Sequence, residues 1–166
     1  GLERPARPAA ALVAFALAPI AGVVLFVVAR IALRLVPSTG EAPVEAFVSW
    51  PSGMLSFAAL AVVAPIAEEI FFRGLVYGAL RGQGASASRG QAALRETIAI
   101  GGSWLLFALA HLPQDWGNWG GMISVLTAGL GFTLLRATTR STLVPCLAHL
   151  VYNGLLAASA LAVGAG

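Results

Sequence analysis

"AEEIFFRG", residues 67–74, sets two adjacent carboxylates and an arginine in the middle of a long apolar run. The 166-residue chain is 58% hydrophobic and 10% charged, with a mean hydropathy of +0.86. A soluble domain is usually about 25% charged, so the run reads as a membrane span and the chain as a polytopic membrane protein. An ionised group at mid-span costs roughly 2.5–3.5 kcal/mol even on lenient insertion scales. Helix geometry separates the three charges. Glu69 and Arg73, four apart, stack on one face and can form a buried ion pair. Glu68 is turned about 100° away and is not the obvious partner. The pair suits packing and function equally; the lone acid calls for a functional reason. Pro65 removes a backbone donor and is expected to kink the helix, opening a polar cavity beside the acids.

Outward from this octapeptide, five segments are near the ~20 apolar residues a span needs: 9–35, 54–80, 94–112, 119–136 and 142–163. No segment alternates like a barrel strand, so all should be helices. The fold expected is all-α, a polytopic transmembrane bundle of about five spans. The first run exceeds the ~7–15-residue core of a signal peptide, so it is expected to be retained. The connections are rich in turn formers, and residues 82–90 read as a loop. Gly74 and Gly78 form a G-x-x-x-G step suited to close helix packing.

All ten basic residues are arginines, and the net charge is +3. Apart from Arg73 they lie at the ends of apolar runs, not in a stripe with aromatics, which argues against nucleic acid as a partner. Seven of them fall on the side that receives the N-terminus and the second and fourth loops, and only Arg30 and Arg34 on the other. The N-terminus is therefore expected inside. All-arginine usage and alanine richness look bacterial, pointing to a bacterial cell membrane. Cys146, the single cysteine, allows no intrachain disulfide and reads as a structural thiol. Trp116 and Trp119 read as interfacial anchors, Trp50 and Trp104 as interface or packing residues, and Asp115 as a solvated loop carboxylate.

The chain has two histidines, both in apolar surroundings. His111 ends "FALAH", and His149 sits in "HLVYN", with Asn153 four residues on and on the same face. Two histidines and an unpaired glutamate from three helices read as one convergent cluster. The expected spans put His111, Glu68 and His149 at different depths, so boundaries must shift or helices tilt for the three to meet.

Three motifs now stand in order: Glu-Glu-x-x-x-Arg in "EEIFFR", Phe-x-x-x-His in "FALAH" and His-x-x-x-Asn in "HLVYN". Together they resemble the CPBP family of intramembrane proteases (the CAAX protease and bacteriocin-processing, or Abi, family). The resemblance runs from about 51 to 160, which divides the chain into an N-terminal span and loop, 1–50, and a protease-like core, 51–163.

A buried carboxylate and a histidine can strip a proton from water and aim it at a peptide carbonyl. Glu68 is the expected general base, with His111 positioning the water. His149 and Asn153 can donate to the oxyanion, and Glu69 with Arg73 can hold the helix face and contact the polar end of the substrate. The resemblance implies similar roles at these six positions. Glu68, His111 and His149 could also supply three ligands to a catalytic Zn2+, but nothing matches H-E-x-x-H, and the residues lean against tightly held zinc. The expected activity is an intramembrane endopeptidase, by resemblance of a family often called metalloproteases, acting on a membrane-associated protein or peptide within the lipid bilayer. The competing readings are a non-catalytic peptide-binding or bacteriocin-immunity protein and a proton-coupled transporter. The absence of paired broken helices in two halves weighs against the transporter.

Overall fold

The computed structural model describes residues 8–36, 59–82 and 88–164. Five helices are formed among them, and no strand. Helix α1 (Pro8–Leu35) rises for 28 residues, about 42 Å. Helix α2 covers residues 59–81 and is not wound uniformly. Ala59–Val63 and Glu69–Val76 are π turns, while Ala64–Glu68 and Tyr77–Arg81 are α. Pro65, expected to kink the helix, sits at the start of the first α stretch. A proline there cannot donate to the preceding turn and crowds it; the helix responds by widening, not by breaking.

Helix α3 (Arg89–His111) begins five residues earlier than the apolar run suggests. The cause is a capping box: the Ser88 side chain accepts from the Gln91 N–H, and the Gln91 side chain accepts from the Ser88 N–H. Asn118 caps α4 (Trp119–Thr139) by accepting from Gly121 N–H at 3.0 Å, and Arg140 ends it in the left-handed region at φ 56°. Helix α5 spans Leu143–Gly164. Helices α1, α3, α4 and α5 are long and apolar enough to cross a membrane. The remaining helix, α2, is the one that carries Glu68, Glu69 and Arg73. The chain is an all-helical integral membrane bundle.

Small residues let the helices close on one another, though not at the step the spacing suggests. Among the described residues nothing approaches a Cβ built on Gly78 within 4 Å, and only Glu69 O, at 3.8 Å, approaches one on Gly74. The tight approaches lie elsewhere. A Cβ on Gly22 of α1 would meet the Ala148 carbonyl of α5 at 2.4 Å, and one on Gly129 of α4 would meet the Phe107 ring of α3 at 2.7 Å. Around the first contact sits a core of Ala29, Ala128, Phe132, Ala148 and Tyr152. Outward faces carry large apolar residues such as Leu12, Ile31, Ile70 and Leu75, as a lipid-facing surface requires. Trp104 is a packing residue whose indole donates to Leu126 O at 2.8 Å. Trp116 and Trp119 are exposed side by side. Trp50 and the loop around it lie outside the described residues.

Candidate active site

The depth conflict resolves through register and side-chain lean. Tyr77 donates to Glu96, and Arg81 pairs with the same carboxylate at 2.7 Å, so the end of α2 meets α3 two turns after α3 begins. From that level His111 lies about 22 Å along α3, and Glu68 lies just beyond the π stretch Glu69–Val76 of α2. The two helices run antiparallel, and side chains lean towards their own N-termini, so Glu68 and His111 lean towards each other. In α5, His149 stacks on Phe132 of α4 with ring centroids 4.3 Å apart, which holds it at the same level.

The three side chains meet in a cavity of about 280 Å³ to which all five helices contribute, from Leu33 of α1 to Asn153 of α5. Glu68 Oε1 is 3.9 Å from His111 Nε2, and Glu68 Oε2 is 3.8 Å from His149 Nε2. Both distances are too long for direct hydrogen bonds and within reach of one bridging molecule. The opposite nitrogens fix the neutral tautomers. His111 Nδ1 lies 2.8 Å from Phe107 O, and His149 Nδ1 lies 2.9 Å from Glu69 Oε1. A carbonyl and a carboxylate only accept, so both Nδ1 atoms donate. In each neutral ring Nε2 then presents a lone pair towards Glu68.

Glu69 and Arg73 do not line this cavity. Both are fully buried behind His149, where Arg73 Nη1 donates to Glu69 Oε1 at 3.0 Å. Arg73 Nη2 donates to Gly129 O at 2.9 Å. The guanidinium carbon lies 4.3 Å from the centroid of Phe107, 5.6 Å from that of Phe132 and 6.0 Å from that of Phe72. Those ring faces stabilise the cation at a place where Arg73 Nε has no hydrogen-bond partner among the described residues. The result is a relay from Arg73 through Glu69 to His149 that orients the imidazole without touching whatever occupies the cavity.

Asp115 corrects the expectation of a solvated loop carboxylate. It is 5% exposed and lines the cavity, folded under the start of α4, whose N-terminus suits a negative group. Burial pushes its carboxyl above the usual aspartate range, opposed by His111. Sequence motifs also fail to single out Ser103 and Arg136, which hold the backbone of α2, or the ring of Phe132. The motif "FALAH" contains Phe107, but only packing against Gly129 shows its use.

Glu68 and the two Nε2 lone pairs are donor types that zinc accepts, and the held Nδ1 atoms resemble the outer contacts of metal-bound histidines. Their spacing does not match. Among the described residues no group of three His, Cys, Asp or Glu side chains is gathered as a metal site.

No curated protein and no solved structure matches the chain. A family model, type II CAAX prenyl endopeptidase Rce1-like, matches residues 50–155. That stretch contains the three motifs and every cavity residue except Leu33 and Leu156. The match covers well over half of the chain, which therefore belongs to the Rce1-like family of type II CAAX prenyl endopeptidases.

Proposed function

We propose that the protein hydrolyses a peptide bond in a membrane-associated protein or peptide, using a water held between Glu68 and the two imidazoles. The observation that carries this reading is the pair of 3.8–3.9 Å gaps on either side of one carboxylate, closed off by rings whose other nitrogens are already engaged. Glu68, 26% exposed, is open to the cavity and takes a proton from the water as it attacks the carbonyl. His111 orients the water through its free Nε2.

His149 and Asn153 receive the developing oxyanion where bulk water does not screen it. For His149 to donate there, its ring must have taken a proton on Nε2 from solvent before the attack, while Nδ1 still donates to Glu69. The imidazolium is then balanced by a cluster that otherwise holds two carboxylates and one guanidinium. Glu68 returns its proton to the leaving amine. Water and protein groups carry each of these steps, whereas zinc would require the three side chains to draw closer. The arginines at the Arg81 end support placing that end inside.

The test is terminal-peptide mass spectrometry of membranes containing either the wild-type protein or Glu68→Gln. New termini confined to the wild-type sample are expected. Identical termini, with a phenotype that survives in Glu68→Gln, would favour the binding reading instead.

A further inference from the structure

The winding of α2 changes from α to π between Glu68 and Glu69. That change falls at the one peptide bond where it matters, because the two consecutive carboxylates face opposite nitrogens of the His149 ring. A π turn closes i→i+5 bonds and is rarely sustained without support. Here two successive carbonyls of the π stretch are held by side chains from other helices. Ser103 Oγ of α3 donates to Phe72 O at 2.8 Å, and Arg136 Nε of α4 donates to Arg73 O at 3.0 Å. Arg136 is itself held in place, with its guanidinium carbon 4.8 Å from the ring centroid of Tyr77, the ring that donates to Glu96. Neither Ser103 nor Arg136 lines the cavity.

We propose that Ser103 and Arg136 are positioning residues, a two-point clamp that keeps residues 69–76 in π winding and so fixes how Glu68 and Glu69 straddle His149. The proposal rests on the assignment of Glu68 and His149 to the reaction. If the clamp is released, the segment relaxes towards α winding and every residue after Glu69 rotates relative to Glu68. Arg73 then shifts against Glu69, and the ring that both carboxylates frame loses its orientation.

Three variants test this. Arg136→Met keeps an apolar stem over Tyr77 but removes the donor. Arg136→Lys keeps a donor, and Ser103→Ala makes the smallest change at the other point. Compared per folded molecule, Arg136→Met and Ser103→Ala should each lower kcat by about 10–100-fold, the scale of lost outer-contact orientation, with KM unchanged. Arg136→Lys should recover part of the loss.

A second readout does not depend on turnover. The chain has two histidines, so the ring ¹⁵N signals of His149 are identified by their disappearance in His149→Gln. In Arg136→Met and Ser103→Ala those signals should move. If melting temperature falls while kcat and the His149 signals stay as in wild type, the two residues are merely structural and the proposal is overturned. Moved signals with full kcat also overturn it, since orientation would then not limit the reaction. Should Arg136→Met not fold, Ser103→Ala alone decides. Cleavage retained by Glu68→Gln would be a different failure, that of the underlying assignment.

Discussion

Arg73→Met is expected to cost more stability than any other single side-chain truncation in the bundle. Both members of the Glu69–Arg73 pair are fully buried. Glu69 Oε2 already lacks a partner among the described residues. Removing the guanidinium leaves a buried carboxylate held only by His149, and breaking such a pair from one side costs about 3–5 kcal/mol. The unfolding midpoint in detergent should fall accordingly, and cleavage should fall with it. The double variant Arg73→Met/Glu69→Gln should restore much of the midpoint, because a neutral, well-packed replacement for a buried ion pair is often tolerated. It should not restore cleavage, since Nδ1 of His149 would then face an amide where it now faces a charged acceptor. A midpoint unchanged in the single variant would show that the pair is hydrated. Cleavage recovered in the double variant would show that the relay serves only packing.

The two histidines should separate in their effect on stability while both abolish activity. His149→Gln loses the stack on Phe132, the edge contact with Tyr152 and the bond to Glu69. Leaving Glu69 with Arg73 alone should cost on the order of 1–3 kcal/mol in addition to lost turnover. His111 is more open, with its side chain 16% exposed and one bond to the carbonyl of Phe107. His111→Gln should therefore melt near the wild-type temperature and yet lower kcat by about 10²–10⁴-fold, the range for a lost acid–base partner. Paired thermal melts and rate measurements decide this. An active His111→Gln would remove that ring from the site.

Which features were legible in sequence follows from the physics each one obeys. The helical state and four of the five expected spans were, because lipid leaves few backbone options. The i,i+4 pair of Glu69 and Arg73 was, because it depends on one helix. The start of α3 was signalled by the S-x-x-Q of Ser88 and Gln91, but the apolar run starting later masked it. The burial of Asp115 was not legible, since loop composition suggests solvent and only the packing of α4 over it says otherwise. Nor were the π turns of α2. In the longer of them, Glu69–Val76, two carbonyls are held by donors from Ser103 and Arg136, 31 and 63 residues away. Among the described residues the G-x-x-x-G step meets no close neighbour from another helix, because small residues permit close approach without requiring it. The glycines that are needed, Gly22 and Gly129, have no such spacing.

Catalysis as proposed stands or falls on Glu68 acting on a water that it shares with both imidazoles. The direct measurement is single-turnover cleavage of a membrane-embedded reporter by purified wild type and Glu68→Gln at matched melting temperature. The approaches of Glu68 to the two rings, 3.8 Å and 3.9 Å, are too long to hold the fold together, so Glu68→Gln should fold as well as wild type. Its rate should drop by about 10²–10⁴-fold. A folded Glu68→Gln that cleaves at the wild-type rate would contradict the proposed chemistry.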